Sequence, residues 1–372
     1  MFAGILQSGE NTQNHIGLHK NILWEMRVII LQKKAKNLLK IASIYLGTVL
    51  GAGFASGQEL LLFFVRFSRR GLLGCFIAGV LFSFLGALIL SRSYELSEKT
   101  YRAYLAKIFG KKFASFLALV AELFLCVSFC IMLSGAGAFF VQRFSWPLFS
   151  GILITDAICL LVFLYDLKGL ATLNLILTPV MLVGTVFVSL YSILFGAQAA
   201  WLPQINSQGI FLPFALFYVG YNLLTATAVL VPAGSPADSR HEAAKGGILG
   251  GFFLFVMAML CCLALYFDRT VWESPLPMLL LSKRAGDLAY FLYSLVLYMA
   301  MLTTAVSTGF SVVQSLAGIG VEKRNAAFAV CLLAIPLSFV EFSVLVKHCY
   351  VFFGIIGILL LAGILWDWYR KT

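Results

Sequence analysis

The stretch Gly47-Thr-Val-Leu-Gly51-Ala-Gly53-Phe-Ala-Ser-Gly57-Gln-Glu59 sets four glycines inside an apolar run from about residue 38 to 67. A run that long reads as one membrane helix, yet each interior glycine weakens a helix by roughly 1 kcal/mol and admits backbone angles closed to other residues. The spacing predicts a break over 51–57, at membrane depth. Irregular backbone survives there only when buried in protein or lining a wet cavity. The two half-helix ends would then offer bare N–H groups to an anion and bare C=O groups to a cation. A plainer reading is also open. Gly47-x-x-x-Gly51 and Gly53-x-x-x-Gly57 both fit the small-residue pattern of close helix packing.

Three other stretches carry polar groups in apolar surroundings. Pro213-Phe-Ala-Leu-Phe-Tyr-Val-Gly220-Tyr-Asn222-Leu-Leu-Thr225 pairs Gly220 with Asn222 and reads as a second break, or as a packing glycine beside one polar contact. Ala300-Met-Leu-Thr303-Thr304-Ala-Val-Ser307-Thr308 carries four hydroxyls that can line one helix face. Hydroxyl and carbonyl oxygens suit a small hard cation. Thr303 and Thr304 are the better candidates, while Ser307 and Thr308 fit bonds back to the preceding turn. Glu122 and Asp156 stand inside apolar runs, where an ionisable group is functional by default. Glu122 can carry a proton, face a substrate amine, or bond a neighbouring helix near Asn174. Glu59 and Gln58 are expected to border an outer vestibule.

The elements that must hold these residues follow from composition. Of 372 residues, 61% are hydrophobic and 12% charged. The mean hydropathy is +0.95. A soluble domain carries about 25% charged residues, so this is an all-α polytopic membrane protein partnered by a lipid bilayer. The net charge of +11 does not point to nucleic acid. Its basic residues fall in short loops, as the positive-inside rule expects. Eight cysteines form no Cys-x-x-Cys pair, and four histidines are scattered in loops and tails. That excludes a zinc site or a Ser-His-Asp triad, and no enzyme is expected.

Apolar runs of about 20 residues number ten: 38–66, 71–91, 114–141, 147–165, 170–196, 210–231, 246–267, 287–317, 325–341 and 346–366. A polar, amphipathic stretch at 92–112 separates the second and third. Residues 1–36 are a polar tail, read as disordered or as a mis-called start with Met26 the true initiator; 37–368 form one membrane domain. With both termini cytoplasmic, the larger share of the 27 Lys and Arg lies inside. Ten helices divide into 38–196 and 210–366. Repeating after five inverts the second set, a recurring transporter plan with the site where broken helices meet.

Gly51-Ala-Gly-Phe-Ala-Ser-Gly-Gln-Glu59 resembles the signature of the YkvI-type bacterial membrane proteins. That group is similar to the amino acid–polyamine–organocation superfamily, whose LeuT-type fold has five plus five inverted helices with the first and sixth broken. The resemblance implies a bacterial cytoplasmic membrane and a secondary transporter, sodium-coupled, moving a small zwitterionic solute such as an amino acid. Gly47-Thr-Val-Leu50-Gly51-Ala-Gly53 and Ala300-Met-Leu-Thr303-Thr304 match the two halves of a sodium site in that superfamily. Sodium would then be held by Gly47, Leu50, Ala300, Thr303 and Thr304, with no other cofactor. The substrate would meet Gly51, Ala52, Gly53 and Phe54 of the first helix and Phe217, Val219, Gly220 and Asn222 of the sixth. Phe54 stands where some relatives have an asparagine of a second sodium site, and Gly57 stands where a gating arginine is usual. Two alternatives stay open: proton coupling through Glu122, and a solute receptor on the same scaffold without net flux.

Overall fold

Apolar side chains drive these runs into helices, and glycine decides where the first one stops. The computed structural model describes residues 32–97, 100–165, 170–196, 210–234 and 237–371, and side chains outside 170–176. The tail up to residue 31 and the loop with Trp201, Pro203 and Gln204 lie outside the described residues. Helix α1 covers residues 32–49 and ends at Leu50 and Gly51. One turn, α2 (Ala52–Ser56), follows; Gly57 then adopts φ +82° and α3 (Gln58–Phe63) begins. That positive φ is a conformation that side chains with a Cβ resist. The break expected at 51–57 is therefore present, opening one residue earlier, at Leu50.

The chain continues through α4 (Ser68–Leu96), the short α5 (Tyr101–Phe109), α6 (Lys111–Phe144), α7 (Leu148–Tyr165), α8 (Leu170–Phe195) and α9 (Phe211–Gly234). After α10 (Arg240–Phe267) come the short α11 (Pro277–Arg284), α12 (Asp287–Gly318) and α13 (Lys323–Ser338). Last, α14 (Phe342–Leu345) passes through a π-helical turn, Val346–Tyr350, into α15 (Val351–Tyr369). Among the described residues, eight helices are long and apolar enough to cross a membrane. The two other expected crossings fall short individually. The first is interrupted, and α13 has 16 residues, a rise of about 24 Å against a hydrocarbon core of about 30 Å.

Three helix pairs form the body: α4 packs on α10, α6 on α12 and α7 on α13. Each joins equivalent positions of the two expected halves, as units related by a two-fold axis in the membrane plane would pack. Small residues set the closest approaches. A Cβ at Gly247 would come within 2.6 Å of the Ala87 backbone nitrogen, and Gly251 lies directly on the Ser83 backbone. Tyr45 fills the groove beside Gly86 and Gly250, and its hydroxyl donates to the Phe82 carbonyl at 3.0 Å. Lipid tails are as apolar as leucine, so this close fit is what holds such helices together.

The sixth helix corrects the sequence reading. Helix α9 runs unbroken through Gly220 and Asn222. The Asn222 amide donates to the Tyr218 carbonyl one turn back at 2.8 Å, so it supports the helix instead of interrupting it. Gly220 is a packing glycine: a Cβ there would lie 2.6 Å from the Gly354 carbonyl, and Gly357 presses on the Gly220 backbone. Replacing Gly220 with valine is expected to destabilise the protein by about 1–3 kcal/mol through overpacking. Thermal unfolding in detergent reads this as a lowered midpoint; an unchanged midpoint would mean that α9 and α15 do not meet there.

Candidate functional site

The break in the first helix opens onto a cavity of about 390 Å³. Thr48 and Val49 from the end of α1, the turn Gly51–Gly53, Asn222 and Thr225 from α9, and Thr304 and Thr308 from α12 line its walls. The start of α2 carries no side-chain cap, so its first N–H groups are free of such a partner where they meet the void. Helix starts leave such donors orphaned unless a cap, water or ligand takes them. Irregular backbone beside an internal cavity is the arrangement that membranes tolerate.

Of the residues named from sequence, Gly51, Ala52, Gly53, Asn222, Thr304 and Glu122 face this cavity. Thr308 and Glu59 line it as well, while the remaining residues of the expected sodium and substrate sets do not. Phe54 turns to a separate small apolar void with Phe64 and Phe82. Phe217 and Gly220 are taken up by the α9–α15 seam, where a Cβ at Gly354 would meet the Phe217 carbonyl at 2.6 Å. Val219 is fully buried in the core. Leu50, Ala300 and Thr303 are buried behind the cavity wall, and Thr303 Oγ1 donates to the Ala300 carbonyl at 3.2 Å. Gly47 faces Thr178. Thus Thr304 brings one oxygen of the expected sodium set to the void beside the end of α1, while Thr303 bonds within its own helix.

The structure adds a group that the sequence reading sent elsewhere. Glu59 does not border an outer vestibule; it is 6% exposed and lines the inner end of the cavity. The left-handed turn at Gly57 folds α3 back, so the carboxyl comes to rest on Gly53. Any Cβ at Gly53 would collide with it. The Tyr221 hydroxyl donates to Glu59 Oε2 at 2.7 Å. The Tyr350 hydroxyl reaches the same carboxyl. Among the described residues Glu59 has no basic partner. One signal was readable: a carboxylate six residues after Gly53 in an apolar run. Tyr350 could not be found that way, because it lies 291 positions later in the chain, at the end of a π-helical turn, a distortion frequent at functional sites.

Glu122 occupies the other end. Its carboxylate accepts from Arg102 of α5 at 3.1 Å, and both side chains are well exposed at the cavity mouth. The side chain of Asn174, the expected alternative partner, lies outside the described residues.

The opposite side of the break is closed. Pro277 and Met278 of α11 sit over Gly57. The Tyr293 hydroxyl donates to the Ala55 carbonyl at 2.6 Å. Ser274 donates to Gln142 Oε1 at 2.9 Å, and Gln142 in turn reaches the Leu276 carbonyl. Arg66 lies over the rings of Phe67 and Phe214. The cavity is therefore open at the α5 side of the helices and sealed at the α11 side.

No protein-family model matches the chain. It is 27% identical over 334 residues to the membrane protein YkvI of Bacillus subtilis, covering 88% of this chain and 94% of that protein. It is 23% identical over 329 residues to YyaD of the same organism, covering 88% and 96%. Among solved structures, a variant of the Eremococcus coleocola manganese transporter superposes with a TM-score of 0.60 at 14% identity, covering 87% of this chain and 77% of that one. The same transporter with an aromatic bis-isothiourea compound gives 0.60 at 13%, covering 90% and 79%. The inward-facing conformation of Mhp1 gives 0.55 at 15%, covering 86% and 73%. The chain is thus similar over most of its length to the membrane proteins YkvI and YyaD, and its helices share the fold of these transporters, the LeuT-type arrangement that the resemblance of the Gly51–Glu59 stretch implies.

Proposed function

We propose that the protein is a secondary active transporter that moves a small organic solute across a bacterial cytoplasmic membrane by alternating access. The observation that carries this reading is a cavity reaching the broken helix from one side only. A site accessible from one face and sealed from the other is one of the two states that alternating access requires. The basic residues around α5 favour that side as the cytoplasmic one, and in this reading the state is inward-facing. With ten crossings, counting α1–α3 as one and α13 as another, both ends of the membrane domain would lie on that side in this reading.

Sodium is the coupling ion in this reading. Thr304 and the carbonyls at the end of α1 offer the oxygen ligands that a hard cation takes, while Thr303 would have to release Ala300 to join them. The cargo of the structurally similar manganese transporter does not carry over. Among the described residues no three His, Cys, Asp or Glu side chains gather to hold a metal, and the cavity has one deep carboxylate. The uncapped start of α2 supplies donors for a carboxylate of the solute. Glu122 does not suit proton carriage, because its ion pair with Arg102 is exposed to solvent. Such a pair contributes about 0–1 kcal/mol, and it fits a role at the mouth.

Counterflow in proteoliposomes tests the reading: with sodium equal on both sides, preloaded unlabelled amino acid should drive transient uptake of the same labelled amino acid, whereas a receptor would exchange nothing. Thr304→Ala is expected to raise the sodium concentration for half-maximal uptake about fivefold, the loss of roughly one hydrogen-bond-sized contact. An unchanged sodium requirement would remove Thr304 from the ion site. Glu122→Gln should leave the pH profile of uptake in place; a flattened profile would return the proton to Glu122.

A further inference from the structure

We propose that Glu59, walled by the rings of Phe124, Tyr221 and Tyr350, is a binding subsite for a positively charged amino group, so that the solute is an amine or an amino acid with a free cationic nitrogen. This rests on the transporter reading above and adds to it the chemistry of the substrate and the residues that select it.

Glu59 lies within a membrane-spanning segment and is almost wholly buried. A carboxyl at that depth is tolerated only if it is neutral or is matched by a positive charge and hydrogen bonds. The protein does not supply one. Among the described residues Glu59 joins no ion pair, and the cation that lines the same cavity, Arg102, is held by Glu122 at the mouth. What the protein supplies instead is hydrogen bonding from phenols. Tyr221 donates to Oε2 at 2.7 Å and Tyr350 reaches the same carboxyl. The other oxygen, Oε1, lies over Gly53 at the cavity wall. It is the oxygen that the Tyr221 hydroxyl leaves open to a ligand.

The surroundings distinguish an ammonium from a bare proton. The rings of Tyr221 and Tyr350 are 4.7 Å apart, and Phe124 sits 5.9 Å from the first and 5.6 Å from the second. All three line the cavity together with Glu59. Aromatic faces within about 6 Å attract a cation, and groups of rings around an acidic residue favour ammonium ligands. A proton alone needs neither the rings nor the volume. The π-helical turn adds a further mark. Val346–Tyr350, which ends at the residue that meets Glu59, departs from α-helical geometry, as turns at functional sites often do.

The test uses the purified full-length protein in detergent and a panel of L-amino acids, the corresponding primary amines, and their N-acetyl derivatives. Thermal shift ranks the ligands, since whatever binds the folded state raises its midpoint. Free amines should stabilise the wild type and N-acetyl forms should not. Glu59→Gln should weaken the best amine about tenfold or more, the loss of a charge-assisted hydrogen bond. Phe124→Leu should weaken it by a smaller factor, with the Tyr350→Phe loss falling between them. If Glu59→Gln does not fold, Phe124→Leu and Tyr350→Phe carry the test, and unchanged amine affinity in both overturns the proposal. It is equally overturned if no free amine binds, if acetylated forms bind as well, or if Glu59→Gln keeps its amine affinity and loses only the pH dependence of uptake. Liposome flux separates the two readings. Glu59-dependent amine binding without counterflow would sink the transporter alone, and counterflow indifferent to Glu59→Gln would sink the subsite alone.

Discussion

A carboxylate resting on a glycine Cα, inside a membrane, is the constraint around which the rest is arranged. Glu59 can lie against Gly53 only because that residue has no side chain, and it can turn back toward Gly53 only because Gly57 takes a positive φ. The helix must be interrupted for both to hold. Once interrupted, its backbone groups and its acid need either burial or water, and the cavity between α1, α6, α9 and α12 meets that need. Tyr221 then bonds one oxygen of the acid from α9, and Tyr350 approaches the same carboxyl from the turn before α15. The break, the acid and the void form one unit; none of the three is tolerable in a bilayer without the others.

Around this unit the protein is built in two mechanical grades. The seams of α4 with α10 and of α9 with α15 bring backbones into direct contact through glycines, which leaves little freedom to slide. The seal over Gly57 is different in kind. It consists of a short helix, a few hydrogen bonds around Gln142 and one from Tyr293. Contacts of that size can be exchanged for others, whereas a glycine seam cannot be opened without exposing backbone. If the protein alternates access as proposed, the line of movement would run between the glycine-locked body and the elements that cover the break. At the opposite face Arg92 bridges Glu95 and Asp367, tying the end of α4 to the end of α15.

Much of the fold could be read from the chain because lipid imposes simple rules. Length and hydropathy alone placed the long helices to within a few residues, and the glycine run marked where the first would part. The same rules misjudged Gly220. A glycine beside an asparagine in an apolar run has two outcomes, a break or a seam, and which one occurs depends on what lies opposite. Here Gly354 and Gly357 lie opposite, 134 and more positions later in the chain, and the seam wins.

The amino-acid sequence by itself determined the environment, the helices, the interruption at Leu50–Gly57 and the presence of hydroxyls on α12, because each follows from local composition and backbone chemistry. Only the tertiary structure decided which polar groups share a cavity. It took Glu59 from an assumed rim to the centre, paired Glu122 with Arg102 at the rim, and brought in Tyr350 through a turn that local spacing does not announce. The physical reason is that a side chain's depth and direction depend on how a broken helix refolds against its neighbours, and those neighbours come from distant parts of the chain.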